Sequence, residues 1–146
     1  MQTSSDNSPS PRNRRVLIFS DRLTDGWHNR QMKIRCRSFR DRYGLETLQT
    51  SDGSEAAALA RDQCPHLIML MDHQLPNLDV ARLLRQDDTI KAIPIIAITT
   101  WPIRKLRGNV FERDDERALE NERKTMESGC DAYIRPPIIW DEIISH

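Results

Sequence analysis

The segment Leu67-Ile68-Met69-Leu70-Met71-Asp72 constrains the fold more than any other part of the chain, because five apolar residues run without interruption into a carboxylate. A strand with one wet face alternates apolar and polar residues. A strand covered on both faces reads as a continuous apolar run, the pattern of parallel sheets with helices on either side. Open α/β sheets bind their ligands beyond the C-terminal ends of the strands. Asp72 is therefore expected at the rim of such a sheet and not in its core. Taken alone, the residue fits an aspartate that merely starts a turn equally well.

The rest of the chain supplies the alternation that a parallel sheet needs. Val16-Leu17-Ile18-Phe19 is a short strand-like run, followed by a helical pattern with Met32, Cys36, Phe39 and Tyr43 on one face. Gly44 fits the position just past that helix. Leu45 to Thr50 is a weaker strand; Asp52-Gly53 is a turn, and Ser54 is expected to cap an alanine-rich helix running to about Gln63. Pro65 ends that helix before the Leu67 run. Val80, Leu83 and Leu84 mark one face of a third helix, and Pro94 introduces the strand run Ile95-Ile96-Ala97-Ile98. A long polar segment follows, helical in composition from Glu112 to Ser128, with Leu119 and Met126 expected on its apolar face. After Gly129 come a last short strand, Ala132-Tyr133-Ile134, and a helical stub over Ile138 to Ile144. Five strands alternating with five helices predict an α/β fold, a doubly wound five-stranded parallel sheet with right-handed crossovers.

Composition narrows what such a domain can do. At 146 residues the chain holds one domain with a real core. The Ser-, Pro-, Asn- and Arg-rich start predicts a disordered tail over 1–14, ahead of a single domain over 15–146. Lysine plus arginine number 22 and aspartate plus glutamate also number 22, which argues against a dedicated nucleic-acid or membrane-surface binder. No run approaches membrane-spanning length, and Met1 to Arg15 lacks the apolar centre of a signal peptide. Three scattered cysteines, Cys36, Cys64 and Cys130, suit reduced thiols in a cytoplasmic protein. The four histidines show no metal-ligand spacing.

In a parallel sheet the C-terminal strand ends converge on one rim, where this chain places Asp21, Asp72, Thr99 and Thr100. Two carboxylates and a hydroxyl suit Mg²⁺, a hard cation that takes oxygen ligands. A carboxylate beside such a cation can act as a nucleophile toward phosphorus, giving an aspartyl phosphate. The plainer alternative is that the threonines cap a strand and Asp21 caps a turn.

Five segments in order resemble the receiver domain of bacterial two-component response regulators. They are Val16 to Asp21, Ser51 to Ala56, Pro65 to Asp79, Ile93 to Thr100 and Gly129 to Ile138. The resemblance covers about Arg15 to Ile144 and implies the flavodoxin-like (βα)5 receiver fold. It implies a stand-alone protein that is not itself an enzyme. In it Asp72 accepts a phosphoryl group, while Asp21, Asp72 and the backbone carbonyl of Gln74 hold Mg²⁺. Thr99 is the switch hydroxyl and Tyr133 the switch aromatic. The implied partners are a histidine kinase or phosphotransfer protein and a downstream protein target, with no nucleic acid and no membrane.

The chain departs from that family at four places. Ser20 stands where the family has the first acid of its acidic pair, removing one negative charge from the metal site. Pro136 stands where the family has a lysine, and strand alternation turns the neighbouring Arg135 away from the face of that position. Val80 replaces a glycine, and the segment after Thr100 is longer than usual, with Trp101, Arg104, Lys105 and Arg107. Two readings follow: a working phosphoacceptor with altered kinetics, or a degenerate receiver that binds proteins independently of phosphate. Flavin binding on the same architecture is a distant third, since no phosphate-cradling loop follows the first strand. The first helix is basic, with Arg30, Lys33, Arg35, Arg37, Arg40 and Arg42, and reads either as a solvated face or as the partner-docking surface. Trp101 and Trp140 fit exposed contact residues or core equally well, and His73 is a candidate for a loop residue beside the acceptor. The chain stops soon after Ile144, so output is expected through protein contact.

Overall fold

A computed structural model describes residues 14–20, 26–72, 78–99, 104–135 and 138–144. The elements in order are β1 (Arg15–Phe19), α1 (Gly26–Tyr43), β2 (Glu46–Thr50), α2 (Gly53–Gln63), β3 (Leu67–Asp72) and α3 (Leu78–Arg85). They continue with β4 (Ile95–Thr99), β5 (Arg104–Arg107), β6 (Val110–Arg113), α4 (Asp115–Glu127), β7 (Ala132–Ile134) and α5 (Trp140–Ile144). Five of the strands form one parallel sheet in the order β2-β1-β3-β4-β7. This is the doubly wound parallel sheet that the alternating pattern predicts. The predicted tail over 1–14 lies outside the described residues except for Arg14.

The continuous apolar runs are buried on both sides, as their composition requires. On one face, Leu17, Phe19, Ile68 and Leu70 pack under the alanines of α2 and under Val80 and Leu84 of α3. On the other, Val16, Ile18, Met69 and Met71 pack under Met32, Cys36 and Phe39 of α1, with Trp140 of α5 against them. Alanine lines α2 because a helix lying close on the sheet leaves room for little more than a methyl group; Ala56 and Ala60 are fully buried.

Local signals account for most element ends. Gly44 takes a φ of 67° and its N–H bonds the Arg40 carbonyl at 3.0 Å, closing α1. The cap of α2 is Asp52, whose Oδ1 accepts the Ser54 N–H at 2.8 Å, two residues ahead of the expected Ser54. A polar clamp secures the lower end of the sheet. Arg85, at the end of α3, donates to the carbonyls of Gly129 (2.6 Å), Lys91 (2.6 Å) and Ile93 (2.9 Å) and pairs with Asp131. Asp131 in turn accepts the Ile95 N–H at 2.8 Å, fixing where β4 begins.

Two expectations change between β4 and β7. The helix expected from Glu112 starts only at Asp115, because Val110–Arg113 is strand β6, paired with β5 in an antiparallel hairpin separate from the main sheet. On α4, Leu119 (58% exposed) and Met126 (43%) face outward, while Ala118, Asn121 and Thr125 face the sheet. Thr125 and Ser128 can be buried because their hydroxyls donate back to the Asn121 and Thr125 carbonyls at 2.6 and 2.7 Å. Likewise Leu83 of α3 lies outside, 39% exposed, while Val80 and Leu84 are buried.

Candidate functional site

The strand order reverses direction between β1 and β3, since β1 leads back to β2 while β3 leads on to β4 and β7. The crevice at such a reversal, beyond the C-terminal strand ends, is where doubly wound sheets take their ligands. Asp72 is the last residue of β3 and stands in register with Thr99, the last residue of β4. Ser20 follows β1 on the same rim; it is buried, and its N–H bonds the Thr50 carbonyl of β2 at 3.0 Å. The sheet thus brings together the ends of the first, third and fourth strands that the sequence pattern singles out. Asp21, His73, Gln74, Thr100, Trp101 and Pro136 lie outside the described residues.

Thr99 and Tyr133 lie on neighbouring strands, β4 and β7. Thr99 is 1% exposed, and its hydroxyl donates to the Ile134 carbonyl at 3.4 Å, a long bond that ties β4 to the end of β7. Tyr133 packs its ring against the core on the α2–α3 face. Its hydroxyl is buried and, among the described residues, makes no hydrogen bond of normal geometry. Burial pushes the phenol up from its ordinary value; the neighbouring Thr99 hydroxyl and the charge of Arg135 oppose that rise. The charge of Arg135 therefore reaches Tyr133. The signal for this was its two-residue spacing from Tyr133, which places both on one face of a strand.

The other singled-out residues divide between packing and surface. Trp140 is half-buried: it meets the Phe39 ring edge-on at 5.1 Å, and the Arg35 guanidinium lies 5.1 Å from its ring centroid. Arg35 thus belongs to the α1–α5 packing, not to a free basic face. Arg30, Lys33 and Arg37 are exposed and make no ion pair among the described residues. Cys36 and Cys130 are buried free thiols whose pKa burial pushes up, which marks them as packing residues; Cys64 is exposed. Among the described residues no cluster of three or more His, Cys, Asp or Glu side chains forms. No described helix is long and apolar enough to cross a membrane.

A parallel sheet in the order β2-β1-β3-β4-β7, with an aspartate closing β3 in register with a buried threonine closing β4, is the arrangement expected of a receiver domain in signalling. Comparison with known proteins agrees. The polar-differentiation response regulator DivK of Brucella anthropi is 40% identical over 98 residues, 65% of this chain and 67% of that protein. The DivK of Brucella ovis is 39% identical over the same length. Among solved structures, the receiver domain of a Pseudomonas aeruginosa sensor histidine kinase, with magnesium coordinated in its active-site cleft, superposes with a TM-score of 0.60 at 19% identity, covering 90% of this chain and 91% of that one. The Vibrio cholerae chemotaxis protein CheY4 superposes with a TM-score of 0.58 at 18% identity, covering 90% and 93%. No family profile matches the chain. The chain belongs to the response regulators of two-component signalling, and its described domain is their receiver.

Proposed function

We propose that this receiver accepts a phosphoryl group on Asp72 from the phosphohistidine of a histidine kinase or phosphotransfer protein, and signals by protein contact without turnover of its own. The observation that carries the proposal is the register of Asp72 with Thr99, which puts an acid and a buried hydroxyl at one rim of the sheet. In the transfer a carboxylate oxygen of Asp72 attacks phosphorus, the P–N bond breaks, and the donor histidine leaves with its electron pair. The donors that the family resemblance implies, Asp21, Asp72 and the Gln74 carbonyl, are all oxygens and suit Mg²⁺. When bound, the ion would neutralise charge on the transferred group. Thr99 would exchange its long bond to Ile134 for one to a phosphoryl oxygen, and Tyr133, with its hydroxyl unsatisfied, would reorient beside it. The exposed cations of α1, Arg30, Lys33 and Arg37, would form the docking face for the phosphodonor. We place this activity in the cytoplasm, where two-component phosphodonors and the reduced thiols of this chain belong.

A second reading is favoured by Ser20. This buried, neutral residue stands where the family carries an acid, which fits a receiver that binds its partner independently of phosphate. Intact-mass measurement with an acyl phosphate and Mg²⁺ separates the two. One added phosphoryl group on the wild type, absent from Asp72→Asn, supports the phosphoacceptor. A mass that never shifts with small donors or a phosphorylated kinase refutes it in favour of the second reading.

A further inference from the structure

We propose that the β5–β6 hairpin is a docking arm for a second copy of this chain, seated on the outer face of that copy's α4. The hairpin pairs only with itself, outside the main sheet. Its strands place Leu106 opposite Phe111 and Arg104 opposite Arg113, and alternation puts these four positions on one face. Leu106 is 61% exposed and Phe111 68%. Gly108, with a φ of 62°, makes the two-residue turn; it is the first turn residue, where a positive φ favours glycine.

This face is poorly suited to stand alone. A two-stranded hairpin is marginal in water without a covered face. Arg113 has one exposed carboxylate near it, Asp115 at 3.8 Å, too distant and too wet to offset much. The face asks for an occupant that is apolar in the middle and acidic around it.

The chain carries such a surface. Leu119 and Met126, seven residues apart, lie on one outward stripe of α4. Glu116 and Glu122 lie three residues either side of Leu119 and make no ion pair among the described residues. Over 104–113 the sequence has four basic residues and one acidic, net +3; over 115–127 it has five acidic and three basic, net −2. A chain with no net charge but oppositely charged neighbouring surfaces is suited to reciprocal pairing. One residue, Asp114, separates the hairpin from α4, so the arm is too short to fold back onto the stripe of its own helix. Two copies related by a two-fold axis can satisfy both arms at once, each hairpin on the other's α4.

Sedimentation velocity on the full chain across a concentration series tests this. We expect reversible dimers at concentrations of about 100 µM, weakened by salt because part of the attraction is exposed charge. Phe111→Asp and Leu119→Arg should each weaken the dimer at least tenfold, because the contact occurs twice, with circular dichroism unchanged since both side chains are exposed. The double variant F111D/L119R restores complementary charge at both contacts and should dimerise again. A wild type that stays monomeric throughout, a single variant that dimerises as the wild type does, or a double variant without recovery would overturn the proposal.

Discussion

Replacing Tyr133 with phenylalanine should make the protein more stable, an unusual direction for a change at a residue proposed to take part in the switch. Among the described residues the buried hydroxyl has no hydrogen-bond partner of normal geometry, while the ring packs against the core. Tyr133→Phe keeps the ring and removes only the unsatisfied oxygen. An unpartnered buried hydroxyl costs roughly 1–3 kcal/mol. The residue as a whole is half-buried and Thr99 stands close by, so the lower end applies, a gain of about 1 kcal/mol. For a chain of 146 residues that corresponds to a rise in Tm of about 2–5 °C, and in urea to a higher midpoint with an unchanged slope. The gain should also depend on pH. The folded phenol has a pKa above its ordinary 10.0, so the unfolded chain releases its proton first as pH rises. Wild-type stability from this group is intact below about pH 10 and is lost as pH climbs through the folded pKa. The advantage of Tyr133→Phe should therefore be flat near neutrality and widen above about pH 10. Urea melts of both proteins at neutral and alkaline pH measure this. A Tyr133→Phe protein destabilised by about 1 kcal/mol or more would show that the hydroxyl is bonded, refuting the account of Tyr133 as a group awaiting a partner.

The clamp at the lower end of the sheet and the basic helix give two further tests. Arg85→Met removes donors to three backbone carbonyls and the partner of Asp131, and should cost about 2–4 kcal/mol by chemical denaturation. A loss under ~0.5 kcal/mol would mean that water replaces those bonds freely. Reversing charge at Arg30, Lys33 and Arg37 should weaken capture of the phosphodonor and flatten its salt dependence, while the urea midpoint barely moves. Binding isotherms against a purified phosphotransfer partner at low and high salt make the comparison, and unchanged isotherms would reduce α1 to a solvated surface.

The sheet was legible in the sequence because its signals are local and redundant. Continuous apolar runs such as Leu67–Met71 can be satisfied only by cover on both faces, and Gly44 and Pro65 punctuate the helices between them. The core face of α1 was equally plain, since Met32, Cys36 and Phe39 recur at helical spacing and all are buried. The cap of α2 fell two residues early because Asp52 and Ser54 are both good caps, and only backbone geometry chooses between them. The face of α4 was misread for a deeper reason. Periodicity assigns large apolar residues to the inside, yet Thr125 and Asn121 face the sheet while Leu119 and Met126 do not. A hydroxyl that bonds its own helix carbonyl can be buried at little cost, and no hydropathy pattern records that bond.

The sequence by itself determined the class of fold, the order of the five main-sheet strands and the helices between them, and the acid that ends the third strand, since burial, periodicity and turn chemistry act over neighbouring residues. Tertiary structure alone decided what meets at the rim. Asp72 and Thr99 are 27 residues apart and become neighbours only through the register of β3 and β4. The clamp from Arg85 to Asp131, the packing of Arg35 on Trp140 and the orphaned hydroxyl of Tyr133 likewise exist only once distant segments are in place. So does the separation of the β5–β6 hairpin from the main sheet, because its short mixed strands carry no apolar run long enough to show which sheet they join.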